Sequence, residues 1–178
     1  MPNQKVTVSI KGISPLLMHA YPLFEISNIE KKTPEDQAEY AAYRNKDTNT
    51  LYVPAAAMQR AAISGASFSK GKRGASLQKV VAACLKISPE QIDLGVEKYS
   101  IDMRSVVIKS TKGRIIRYRP RLDDWQCSFE LEWDTELLKE SEIKKVLDDT
   151  GSRIGILDFR PECKGPFGRF IVTKWEMF

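Results

Sequence analysis

Val6, Val8 and Ile10 alternate with polar residues between Lys5 and Lys11, a period of two that predicts a half-buried strand closed by Gly12 and Pro15. Thr33-Pro34-Glu35-Asp36 has the make-up of a helix start: a capping hydroxyl, proline at the first helical position and acids in the first turn. That helix is expected to reach about Arg44. Lys46 to Asn49 reads as a turn, Leu51-Tyr52-Val53 as a short strand, and Pro54 as the opening of an alanine-rich helix over Ala55 to Ala66. Leu77, Val80, Val81, Cys84 and Leu85 recur at helical spacing behind Ser76 as cap. Ser88-Pro89-Glu90-Gln91 repeats the capping pattern and predicts one more short turn of helix.

From Tyr99 to Trp133 the period falls back to two. Ser110-Thr111-Lys112-Gly113 separates two such arms, which predicts a hairpin. Cys127, Phe129, Leu131 and Trp133 share one face of the next strand. Asp134 or Thr135 is expected to cap a helix that runs to Asp149 on an apolar side of Ile143, Val146 and Leu147, with Gly151 as its stop. Phe170, Val172 and Trp175 fall in a last strand near 168–176. The order is βαββαβ, an α+β chain with a ferredoxin-like (RRM-like) core, a helical insertion at about 20–50 and an extended basic β-hairpin at about 100–121. No repeat or linker interrupts the 178 residues, so 1–178 is read as a single domain.

Composition narrows the chemistry. Cys84, Cys127 and Cys163 form no CxxC pair, so no zinc framework is visible, and a sparse odd count fits a reducing compartment and a cytoplasmic location. His19 is the lone histidine, which excludes a multi-histidine metal site; no metal or cofactor is expected. No signal-peptide pattern opens the sequence and no apolar stretch has bilayer length, so no membrane partner is expected.

Charge changes the picture more. The net charge is +5, but residues 61–121 carry 13 basic and 4 acidic side chains, against 8 and 13 in residues 122–178. A basic middle points to a polyanion, and an acidic last third could meet the basic patch of a neighbouring copy. Arg104, Lys109, Lys112, Arg114, Arg117, Arg119 and Arg121 are seven bases in 18 positions without an acid between them. On a strand Arg117, Arg119 and Arg121 share a face at intervals of roughly 6.5–7 Å, a spacing that suits successive phosphates gripped in bidentate fashion. Lys70, Lys72 and Arg73 sit in a glycine-rich loop that lacks the Walker pattern.

Between Gly151 and Phe170, glycines alternate with Arg153, Arg160, Lys164, Arg169 and several aromatics, as single-strand binders that stack bases require. Gly151, Gly155, Arg160, Gly165, Gly168 and Phe170 resemble the glycine-rich loop of the RAMP superfamily, the repeat-associated proteins of CRISPR systems. Leu51-Tyr52-Val53-Pro54-Ala55-Ala56-Ala57-Met58-Gln59-Arg60-Ala61 is similar to that family's strand, proline and helix element, and Ser14-Pro15-Leu16-Leu17-Met18-His19 to its loop after the first strand.

The resemblance implies a backbone subunit of a CRISPR effector complex, non-catalytic, which binds single-stranded RNA and polymerises head to tail along a guide RNA beside other effector subunits. In that plan the sheet is a palm, the 100–121 hairpin a thumb, the 20–50 insertion a web and 151–168 the glycine-rich loop. The expected nucleic-acid-binding residues are Lys70, Lys72, Arg73, Lys109, Lys112, Arg114, Arg117, Arg119, Arg121, Arg160, Lys164, Gly165, Gly168 and Arg169. Gly165 and Gly168 are expected to let the backbone approach the strand. The resemblance leaves two alternatives open: an endoribonuclease using His19, and a mobile-element protein that binds or anneals single-stranded DNA. A lone histidine beside Met18 and Tyr21 reads first as a packed side chain, and Asp158 and Glu162 as partners of Arg160.

Overall fold

The computed structural model describes residues 3–23, 27–71 and 74–178. Its strands are β1 (Asn3–Gly12), β2 (Leu16–Leu17), β3 (Tyr52–Pro54), β4 (Lys86–Ser88), β5 (Gln91–Asp93), β6 (Ser100–Val107), β7 (Arg114–Leu122), β8 (Gln126–Asp134) and β9 (Phe170–Met177). The helices are α1 (Pro34–Tyr40), α2 (Ala55–Gly65), α3 (Gln78–Cys84) and α4 (Glu140–Asp149). The chain is mixed α and β with antiparallel pairing. The main sheet runs β4-β8-β1-β9, a second runs β2-β7-β6, and β3 pairs with β5.

The alternation in β1 does what it predicts. Val6 pairs with Leu131, Val8 with Phe129 and Ile10 with Cys127, and all six are buried. With Trp133 they form the floor on which α2, α3 and α4 pack through Met58, Ala62, Val81, Ile143, Val146 and Leu147. Burying these side chains is the main stabilising term, at roughly 1.5–3 kcal/mol for each large one. The other face of β1 and β8 carries Lys5, Thr7, Ser9 and Lys11 opposite Glu132, Glu130, Ser128 and Gln126. Lys5 pairs with Glu130 at 2.6 Å, and the Ser9 and Ser128 hydroxyls meet at 2.7 Å.

Four expectations change. Ser88-Pro89-Glu90-Gln91 opens no helix: it bends β4 into β5, because Ile87 and Ile92 are both drawn into the core from extended chain. α1 ends at Tyr40, since Arg44 leaves the helix to bridge Leu51 and to pair with Glu39. The helix expected from Asp134 begins at Glu140. Leu138 turns into the core, its carbonyl accepts from the Trp133 indole at 3.1 Å, and Glu142 instead accepts from the Lys139 N–H at 2.8 Å. Gly151 does not stop that helix, which continues into a π-helical turn, Thr150–Ile154, and ends at Gly155, where φ is 70°. No helix among the described residues is long and apolar enough to cross a membrane.

Candidate nucleic-acid interface

The segment after the π-helical turn is held against the connection between β1 and β2. Asp158 N–H donates to the Leu17 carbonyl at 3.0 Å, Gly168 N–H to Pro15 at 2.8 Å, and Arg169 N–H to the Ser14 hydroxyl at 2.9 Å. This zipper sets Asp158 beside two residues distant in sequence. Its carboxylate pairs with the Arg119 guanidinium and lies 3.7 Å from His19 Nδ1.

A cleft of about 570 Å³ opens in front of that cluster, lined by His19, Tyr43, Arg60, Ile156, Leu157, Asp158 and Arg160 together with Pro54, Ala56, Ala57 and Ala61 of the first turns of α2. The sequence explains its openness: small side chains on α2 leave room, and the Pro54 cap supplies no side-chain acceptor to cover the helix start. Arg60 is exposed. Arg160 is tied down, with its guanidinium on Glu162 at 2.7 Å and on the Leu157 carbonyl at 2.9 Å. Against partial desolvation, hydrogen bonds from Arg160 and Ser64 and the charge of Arg60 hold the Glu162 carboxyl below its usual range. His19 is not packed away, for 46 % of its side chain is exposed. Desolvation by the cleft walls and the charges of Arg119 and Arg117 outweigh Asp158 and push its pKa below the usual histidine value, which favours the neutral imidazole.

The hairpin has two unlike faces. Cross-strand register puts Asp102 opposite Arg119 and Arg104 opposite Arg117, on the side toward the glycine-rich segment. The Arg104 guanidinium stacks over Phe167 at 4.9 Å and Phe159 at 5.9 Å, and that of Arg121 over Phe167 at 5.7 Å. On the opposite side Met103 pairs with Tyr118 and Ser105 with Ile116. Met103, Val107 and Ile116 are exposed there.

The expected row of three phosphate-gripping arginines is therefore corrected. Arg117, Arg119 and Arg121 do share a face, but Arg119 is buried, paired with Asp158 and 3.9 Å from Asp102, and Arg121 pairs with Asp123 at 2.7 Å. Acids absent from 104–121 reach the row from Asp102, across the sheet, and Asp158, across the fold. Lys109, Lys112 and Arg114 are exposed at the hairpin tip, and Arg117 is half-buried without an ion pair among the described residues. Lys70, Lys164 and Arg169 are also exposed. Lys72 and Arg73 lie outside the described residues.

Gly165 and Gly168 serve the chain itself. A Cβ on Gly165 would collide with the Phe159 carbonyl, and one on Gly168, where φ is 77°, with that of Ile156. Phe167 and Phe170 are buried, so they are no platform for bases. Sequence reading missed Arg60 and Tyr43, which line the cleft, and Asp102, which anchors Arg104. Arg60 was within reach as the one charged residue of the alanine-rich segment that Pro54 opens. No group of three metal-ligating side chains occurs among the described residues.

No protein-family model matches the sequence, and no curated protein matches it either. The fold does have relatives. It is similar to a chain in the cryo-EM structure of the Type III-B Cmr-beta bound to cognate target RNA. The TM-score is 0.61 at 12 % identity, over 99 % of this chain and 61 % of that one. This chain thus shares its fold with that chain and spans less than two thirds of its length.

Proposed function

We propose that this chain is a non-catalytic, RAMP-type subunit that binds single-stranded RNA and assembles head to tail along a guide RNA with other effector subunits. The observation that carries the reading is the cleft at the start of α2, where the exposed Arg60 and His19, with Arg160 held on Glu162 and Asp158 neutralised by Arg119, surround small side chains and a helix start without a side-chain cap. Phosphate oxygens fit such a place, since guanidinium forks donate to them and short side chains let them approach. The order β9-β1-β8-β4, with α2 and α4 as its crossover helices, is read as the ferredoxin-like core. β1 and β8 present only polar side chains on their open face, so the base-stacking sheet of an RRM is not the mode of binding here. The path runs instead from the cleft past Arg117 toward Lys109, Lys112 and Arg114, with Lys70, Lys164 and Arg169 as outlying contacts. The similarity to a chain from an RNA-bound effector complex supports RNA over DNA.

The test is anisotropy of a labelled single-stranded RNA at salt from about 50 to 200 mM, where each phosphate contact contributes about −0.7 to the log–log slope. Arg60→Gln with Arg160→Gln should lower both affinity and slope; a flat response in the parent protein refutes the reading. Sedimentation with RNAs of increasing length tests assembly, and a long RNA that never carries a second copy refutes it.

One observation favours a second reading. A neutral His19 facing Asp158 beside two arginines is arranged to take the proton of a ribose 2′-hydroxyl, as a metal-independent endoribonuclease requires. RNA cut in the presence of a chelator, and left whole by His19→Ala, would select it.

A further inference from the structure

Between β6 of the hairpin and the glycine-rich segment lies a separate cleft of about 310 Å³, lined by Arg104, Val106, Val107, Arg119, Phe159 and Cys163. Cys163 is a free, exposed thiol. It closes a single 3-10 turn, Pro161–Cys163, in which its N–H donates to the Arg160 carbonyl at 2.8 Å and the Lys164 N–H to the Pro161 carbonyl at 2.9 Å. The other two cysteines are shielded. Burial pushes the Cys127 thiol up to about 12 and raises that of Cys84, so both stay protonated. The cleft also carries cationic groups that the chain leaves unsatisfied. Asp102 meets Arg104 at 2.8 Å, Arg121 at 3.8 Å and Arg119 at 3.9 Å, so one buried carboxylate is shared by three guanidiniums. Arg104 uses only its Nε on Asp102, and among the described residues its two Nη groups make no hydrogen bond. Arg119 is 5 % exposed and its Nε has no partner, an unmet donor of a kind that native folds rarely keep. The acid in the cleft wall, Asp158, is neutralised by the far end of Arg119. The exposed Lys164 adjoins the thiol in the chain.

We infer that this cleft is a thiol-exchange site: it binds a low-molecular-weight disulfide that bears carboxylates, and Cys163 keeps half of it as a mixed disulfide. The inference is independent of the RNA path. Exposed thiols beside guanidinium or ammonium groups are the ones that exchange, because the thiolate is the nucleophile and a nearby cation favours it. The Cys163 thiolate attacks one sulfur of the bound disulfide, and a new S–S bond forms as the old one breaks. The leaving half departs as a thiolate and takes up the proton that Cys163 gave, so the bound disulfide is itself the oxidant. The Nη groups of Arg104 grip a carboxylate of the ligand as a fork. Val106, Val107 and Phe159 cover its aliphatic part. The volume, at the lower end of the roughly 300–1,000 Å³ of small-ligand pockets, suits the half that stays. The adduct would stand where Arg104 stacks over Phe159 and Phe167, so it ties the redox state of the thiol to the contact between hairpin and glycine-rich segment.

The experiment incubates the full chain with glutathione disulfide, follows the adduct by intact mass and locates it by peptide mapping. One glutathionyl group at Cys163 is expected, at a rate that saturates as the disulfide is raised, because binding precedes exchange. Cys163→Ser should take up none. Bis(2-hydroxyethyl) disulfide, which has no carboxylate, is the comparison. The folded chain should prefer glutathione disulfide over it by more than a short peptide of residues 160–166 does. Arg104→Gln should reduce that preference by roughly fivefold, the upper range for an ion pair at an exposed site. The readout is the ratio of the two rates, since a guanidinium that acted only on the thiol would change both alike. The inference is overturned by an adduct on Cys84 or Cys127 in place of Cys163, by a rate that stays linear in disulfide, or by an Arg104→Gln protein that keeps the parent's ratio. A folded chain that reacts just as the peptide does would mark an exposed cysteine and no site. Saturation and the comparison with the peptide are measured on the parent chain, so they decide the matter even if the variant fails to fold.

Discussion

Replacing Arg119 with Gln tests whether the hairpin's arginines are surface or structure. Arg119 is 5 % exposed; it pairs with Asp158, its Nη2 lies 3.9 Å from Asp102, and its Nε is buried without a partner. Removing one member of a buried pair costs about 3–5 kcal/mol, most of it from the charge left behind. Two features reduce that here. The Asp158 side chain is 28 % exposed and can take up water, and Asp102 keeps Arg104 at 2.8 Å. A loss of about 2–3 kcal/mol is expected, which for a domain of this size lowers the melting midpoint by roughly 4–12 °C. Arg117→Gln, one register step away and unpaired, should stay within about 0.5 kcal/mol while lowering the RNA salt slope by about 0.7. Urea denaturation at constant m-value checks both. If Arg119→Gln melts with the parent, or if both variants fall equally, the buried-latch account of the hairpin base is wrong.

Two further outcomes follow from the same geometry. The His19 pKa is depressed in the free protein, so this ring withholds a proton that the unfolded chain would bind, and its contribution to stability is lost as pH falls below 6.5. A phosphate in the cleft favours the charged ring, so RNA affinity should rise as pH is lowered from 8 to 6 and the rise should vanish in His19→Gln; a parallel rise in the variant refutes the placement. Gly168→Val forces a branched residue to φ 77° against the Ile156 carbonyl, so it should cost about 2–4 kcal/mol in denaturant and lower RNA affinity; an unchanged midpoint refutes the internal role of that glycine.

Most of the fold was legible because burial is written in periods. The alternation of Val6, Val8 and Ile10, its match in Cys127, Phe129, Leu131 and Trp133, and the helical spacing from Leu77 to Leu85 each describe one buried face. Thr33 caps α1 as its type predicts, with its hydroxyl accepting from Asp36 N–H at 3.1 Å. The misreadings fall where a local signal competed with a tertiary one. Ser88-Pro89-Glu90 has the make-up of a cap, yet Ile87 and Ile92 gain more from two strands. Asp134 does accept from Glu136 N–H at 2.9 Å, but as a turn, because Trp133 claims the Leu138 carbonyl before a helix can propagate.

The site was legible by region and not by role, and the glycine-rich segment shows why. Its glycines and arginines single out residues 151–168, but composition cannot say which neighbour makes a glycine necessary. Gly165 and Gly168 answer to carbonyls of their own loop, at Phe159 and Ile156, so their work is to fold the segment back on itself. That fold delivers Asp158 to Arg119 across 39 positions of sequence, and Phe167 to Arg104 across 63. Charge counting saw bases without acids over 104–121; pairing in three dimensions neutralises the base of the hairpin and leaves its cations at Arg117 and the tip. The consequence for binding is directional. On the path proposed above, a strand held at Arg60 passes His19 and meets Arg117 next, because Arg119 is already paired with Asp158.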